Sequence, residues 1–93
     1  MFNRIRGFDW DIRNRVHIWE HGVNALEAEE VFFDKPVYLK HGRDRYVVFG
    51  VTEEGRYLFV VFCRKDKNLI RIITAREMTQ KEKRSYKKRR GFK

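Results

Sequence analysis

Two apolar runs separated by a short polar stretch constrain this chain more than any other feature. Residues 57–63, Tyr-Leu-Phe-Val-Val-Phe-Cys, are almost continuously apolar. Residues 69–76, Leu-Ile-Arg-Ile-Ile-Thr-Ala-Arg, are rich in β-branched side chains and lack Gly and Pro. Each reads as a strand of a buried or half-buried sheet. The linking Lys65-Asp66-Lys67-Asn68 is short and polar, which predicts an antiparallel hairpin. The second strand carries two arginines and a threonine. An Arg set in or just after a core strand is held rigidly, and its planar fork meets phosphate oxygens bidentately. The plainer reading is an ordinary strand with its arginines facing water.

The rest of the chain supplies partners for that hairpin. Residues 37–39 and 45–51 read as two further short strands, and Glu53-Glu54-Gly55-Arg56 as a turn, so the sheet is an antiparallel meander of three to four strands. Two helices precede it. Gly7-Phe8-Asp9-Trp10 forms an extended lead, and Asp11 caps the first helix. Ile12, Val16 and Trp19 recur at helical spacing and give that helix one apolar face, and Gly22 ends it. Asn24, with Glu27 three residues on, caps a second helix, whose buried side is Leu26, Ala28, Val31 and Phe32 and which Lys35-Pro36 ends. Trp10 and Trp19 read as core. Glu27, Glu29 and Glu30 read as a solvated face. Thr79 and Glu82 repeat the capping spacing before a polar third helix that frays from about residue 87, with residues 91–93 disordered. The fold class is therefore α+β, in one domain spanning residues 1–93.

Charge points to a partner. The formal net charge is +9, and residues 76–93 hold nine Lys or Arg against two Glu. A nearly neutral body with a basic end suits a polyanion, most often nucleic acid. No apolar run approaches a membrane span, and the N-terminus has no apolar signal segment. A lone cysteine, Cys63, excludes an internal disulfide. It reads as a small buried hydrophobe, and the setting as cytoplasmic.

Phe8-Asp9-Trp10-Asp11, His21-Gly22-Val23, Arg45-Tyr46 with Gly50, Ile70-Arg71-Ile72-Ile73-Thr74-Ala75-Arg76, and Glu82 with Tyr86 follow one another along the chain. In this order they resemble the BrnT-like family. Within the family the chain is similar to a subgroup whose first helix matches Arg13, Asn14, His17, Ile18, His21, Gly22 and Val23. More familiar members have Pro and Lys where this chain has Ile12 and Glu20. The resemblance implies a RelE-related toxin of a type II toxin–antitoxin pair. Such a toxin is an endoribonuclease that stops translation and is held inactive by a BrnA-like antitoxin encoded beside it, with a homo-oligomer or a hetero-oligomer with the antitoxin as the assemblies to expect.

RNA is cut without a metal when the 2′-hydroxyl attacks the adjacent phosphorus and the 5′-oxygen leaves. Fixed cations stabilise the charge that develops. Arg45, Arg71 and Arg76 are candidates for that role, with Thr74 as a phosphate hydrogen-bond partner. His17, His21, Glu82 and Tyr86 are candidate proton-transfer groups, and histidine is the side chain that most readily exchanges protons near neutrality. His17 and His21 lie four apart on a helix, but no third ligand stands at a fixed spacing, so no metal or other cofactor is expected. Lys83, Arg84, Lys87 and Lys88 are candidate RNA-binding residues. In a regular strand Arg71 would face away from Thr74 and Arg76, and only a bulge or an early strand end unites them. Arg71 has an alternative partner in a carboxylate of the first two helices. The rival reading is a non-catalytic module that binds nucleic acid or protein on the same scaffold.

Overall fold

The expected hairpin forms the middle of the sheet. In the computed structural model, which describes residues 5–90 apart from the side chain of Lys67, the elements run β1 (Gly7–Phe8), α1 (Ile12–Glu20), α2 (Ala25–Glu30), β2 (Val37–Lys40), β3 (Tyr46–Val51), β4 (Tyr57–Lys65), β5 (Leu69–Glu77) and α3 (Gln80–Arg89). Strand order is β1-β5-β4-β3-β2. The four strands β2 to β5 form the antiparallel meander. The lead segment adds a fifth strand, because Gly7 and Phe8 pair in parallel with Leu69 and Ile70. The β4–β5 link is a 3₁₀ turn, Asp66–Asn68, in which Asn68 takes a positive φ of 68°.

Alternation along β4 divides the molecule into layers. Leu58, Val60 and Phe62 face one way and meet Ile18, Val23, Ala28, Val31 and Phe32 from the two N-terminal helices. Phe32 and Phe62 pack edge to face with centroids 5.0 Å apart. Tyr57, Phe59, Val61 and Cys63 face the other way, and α3 lies over part of that outer face. Its buried Tyr86 meets Tyr57 edge to face at 5.9 Å, and the Tyr86 hydroxyl donates to the Lys35 carbonyl at 2.8 Å.

The caps follow the expected local chemistry. Asp11, Asn24 and Thr79 each accept from the first turn of their helices, and all three form reciprocal capping boxes. Gly22 adopts φ 79°, and the Val23 N–H returns to the Ile18 carbonyl while that of Gly22 bonds to Trp19. This is the Schellman pattern, and its apolar pair Ile18 and Val23 is fully buried.

Several expectations are corrected. The stripe Ile12, Val16 and Trp19 is not the buried face of α1: these residues are 73%, 46% and 67% exposed. The helix instead buries Asn14 and Ile18, because it packs on an edge that needs a hydrogen-bond donor. Leu26 is 65% exposed, whereas Ala28, Val31 and Phe32 are buried as expected. The α-helical part of the second helix stops at Glu30, since Phe32 and Phe33 bond three residues back and tighten the chain into turns. Trp10 is half-buried, with its indole N–H on the Glu29 carboxylate at 2.7 Å. Glu29 is therefore engaged, as is Glu30, which accepts from the Glu53 N–H, and Glu27, which pairs with Arg56. Cys63 is half-buried rather than buried. The α3 helix continues through residues 87–89, where basic side chains complement the helix dipole and the Arg90 N–H bonds to Tyr86. Residues 91–93, expected to be disordered, lie outside the described residues. Among the described residues, no helix is long and apolar enough to cross a membrane.

Candidate active site at the open edge of the sheet

The register of β5 contains the bulge that its arginines require. Phe62 pairs with Ile72 and Val61 with Thr74, so Ile73 is an extra residue. Cross-strand partners share a face, and Cys63, Val61 and Phe59 stand opposite Arg71, Thr74 and Arg76. The bulge thus brings all three functional candidates to the outer face. A regular strand would have placed Arg71 opposite the other two.

On the side away from β4, β5 has no neighbouring strand beyond Ile70 among the described residues, and the start of α1 crosses that edge instead. Asn14 does there what a strand would do. Its Nδ2 donates to the Ile72 carbonyl at 3.1 Å and to the Asp9 carbonyl at 3.0 Å, while its Oδ1 accepts from the Asp11 N–H at 2.8 Å. This fixes α1 against the bulge. The result is a shallow hollow lined by Arg13, Asn14, His17, Arg71, Ile72 and Ile73, with a volume of about 330 Å³.

Arg71 reaches this edge and bonds to two carboxylates, Asp11 at 3.0 Å and Asp9 at 3.4 Å. The carboxylate alternative for Arg71 is therefore realised, through the lead segment and the α1 cap. The Asn14 N–H first, and the Arg71 guanidinium next, hold the Asp11 carboxyl below the usual carboxylate range. Arg76 forms a two-pronged pair with Glu82, at 2.8 Å and 2.9 Å, and lies 3.9 Å from the centroid of Phe59. That pair lowers the Glu82 pKa and raises that of Arg76. Both guanidinium groups are thus held in fixed orientations.

The other candidates are scattered. His17 on α1 and His21 at its C-cap are exposed, with ring centroids 5.3 Å apart, and His17 lines the hollow. Thr74 is half-buried on the outer face. Arg45 lies exposed just before β3, with β4 between it and β5. Tyr86 is buried under α3 with its hydroxyl on Lys35, and burial pushes its pKa up. Lys83 and Lys87 place their ammonium groups 4.6 Å and 5.3 Å from the Tyr57 ring centroid, while Arg84 and Lys88 are exposed. Two polar members of the hollow, Arg13 and Asn14, were not among the residues expected to do chemistry. Their position four and three residues before His17 on one helix was the available signal. Among the described residues, no group of three or more His, Cys, Asp or Glu is arranged to hold a metal ion.

The comparisons with known proteins agree with this architecture. The family described as "Ribonuclease toxin, BrnT, of type II toxin-antitoxin system" matches residues 10–82. The crystal structure of the Brucella abortus ribonuclease toxin BrnT superposes with a TM-score of 0.66 at 21% identity, covering 80% of this chain and 97% of that one. No curated protein matches the chain.

Proposed function

Since this chain belongs to the BrnT family of ribonuclease toxins of type II toxin–antitoxin systems, we propose that it cleaves RNA without a metal ion at the open edge of β5. The observation that supports this location is the hollow in which His17, Arg13 and Arg71 meet beside the bulge. In the proposed reaction a ribose 2′-hydroxyl attacks the adjacent phosphorus and the 5′-oxygen departs, leaving a cyclic phosphate and a free 5′-hydroxyl. His17 transfers a proton, with His21 as the second imidazole one turn on. Arg71 stabilises the charge on the equatorial oxygens, and Thr74 and Arg76 hold the neighbouring phosphate along the outer face. Fixed donors of this kind need no reorganisation as the charge develops. The α3 side chains Lys83, Arg84, Lys87 and Lys88 track the backbone of the strand without reading its bases. Arg45 and Tyr86 take no part in the chemistry, and Tyr86 serves to seat α3. The chain acts as a single domain in the cytoplasm, inhibits translation, and is held in check by a BrnA-like antitoxin.

One observation favours a second reading, a binding module without catalysis. Arg71 and Arg76 already have carboxylate partners, which an RNA phosphate must displace. Cleavage of labelled single-stranded RNA by the purified, antitoxin-free protein in EDTA separates the two. Wild type should cut, and Arg71→Ala and His17→Ala should each lose about 100-fold or more in rate while keeping the wild-type circular dichroism and a cooperative melting transition above the assay temperature. A folded, partner-free wild type that binds RNA in a salt-sensitive manner and never cuts it would establish the second reading.

A further inference from the structure

The exposed apolar stripe of α1 is unexplained by the fold or by the reaction. Ile12, Val16 and Trp19 stand one turn apart on a face that looks away from the sheet. Beside them, Arg15, Val16, Trp19, Asn24 and Ala25 line a hollow of about 280 Å³, enough for a large apolar side chain. A stripe at this spacing with a pocket at its side is the pattern by which one helix receives another. We propose that it seats an acidic amphipathic helix of the antitoxin, an assignment that rests on the toxin reading above.

Charge selects this occupant. Arg15 flanks the stripe on one side and Arg13 on the other, with Glu20 as the acidic residue at its C-terminal end. A second copy would bring the same arginines and another net charge of +9 into contact. An acidic helix instead meets complementary charge on both flanks. Position gives the complex its effect. Arg13 borders the stripe and, with His17 on the adjoining face of α1, lines the β5-edge hollow. A helix seated on Ile12, Val16 and Trp19 therefore stands at the mouth of that hollow. Its acidic flank reaches Arg13 and Arg71 and competes with RNA phosphate for the same guanidinium groups. Inhibition then needs no rearrangement of the toxin.

The test uses the full-length chain and its cognate antitoxin protein, and reads binding and cleavage separately. Trp19→Glu and Val16→Glu are compared with wild type, with Trp19→Ala as a milder companion should either charge prevent folding. The expected result is a loss of antitoxin affinity of about 30-fold or more, the effect of removing an interface anchor. Cleavage of RNA by the free variants should stay within about threefold of wild type, because neither residue touches the substrate, and antitoxin should no longer suppress it. Wild-type antitoxin affinity in the folded variants would overturn the assignment. So would a wild-type dimer that Trp19→Glu dissociates while antitoxin binding is untouched, which would give the stripe to a second copy. Failure of the wild type to cut RNA would count against the catalytic reading alone, since the binding measurement stands without it.

Discussion

The amide of Asn14 closes hydrogen bonds that the sheet leaves open. It is buried, and it serves the Ile72 carbonyl at the bulge, the Asp9 carbonyl and the Asp11 N–H together. A buried group left without its partner costs about 1–3 kcal/mol. Asn14→Ala should therefore lower unfolding stability by about that amount. Asn14→Asp should do worse, because a carboxylate would face two carbonyl oxygens. Urea denaturation of the three proteins tests the order. Equal midpoints for Asn14→Ala and wild type would show that α1 is seated by Ile18 alone. The same substitution should weaken RNA cleavage, since His17 depends on the placement of α1. Arg71 illustrates a different residue-scale rule. Its carboxylate partners neutralise it in the resting protein and aim it at the same time.

Packing of α2 on the sheet depends on one absent side chain. Gly50 sits in β3 directly beneath the C-terminal end of α2. A Cβ there would lie 2.5 Å from the Val31 carbonyl oxygen and 2.8 Å from the Val31 Cβ. Both belong to a rigid helix end, so neither moves without displacing α2. Overpacking of this kind costs about 1–3 kcal/mol. Gly50→Ala should lower the melting temperature by at least about 4 °C, given about 4–8 °C per kcal/mol for a domain of this size. Gly7→Ala is the matched control, since its Cβ would meet only Leu69 Cδ1 at an ordinary 3.7 Å. Equal melting temperatures for Gly50→Ala and Gly7→Ala would refute the close-approach argument. The bulge at Ile73 is the other decisive element-scale feature, because it shifts the phase of β5 for everything that follows.

Across the whole molecule, ion pairs between elements couple stability to pH. Glu27 joins α2 to Arg56, which also bonds to Glu77 of β5 and to the Gly22 carbonyl. Burial raises the Glu27 pKa, but the hydrogen bonds from Arg56 and Asn24 outweigh it and leave the net shift downward. Asp11 and Glu82 are also shifted down. A carboxylate depressed in the folded state contributes stability above its unfolded pKa, and that contribution disappears as pH falls through the folded value. Stability should therefore be steady from neutrality to about pH 5 and fall below about pH 4. Glu82→Gln should flatten part of that acid limb in urea midpoints measured across pH. An unchanged limb would mean that the Arg76–Glu82 pair does not differ from its unfolded counterpart.

The sequence by itself determined the features that depend on near neighbours. Capping at Asp11, Asn24 and Thr79, the left-handed stop at Gly22 and the β4–β5 hairpin all arise from contacts a few residues apart. Arg71, Thr74, Arg76 and His17 were legible as residue types suited to phosphate chemistry, but their arrangement was not. Only the tertiary structure decided which face of α1 is buried. By composition Ile12, Val16 and Trp19 are the natural core stripe, yet the edge of β5 presents a carbonyl that requires an amide donor. That carbonyl is on Ile72, 58 residues from Asn14. The bulge at Ile73, the parallel pairing of β1 and the burial of Tyr86 are likewise settled by partners remote in the chain. Apolar patterning shows which side chains gain from burial. Hydrogen bonds between distant segments determine which of them are buried, because an unpaired polar group costs as much as a well-packed side chain contributes.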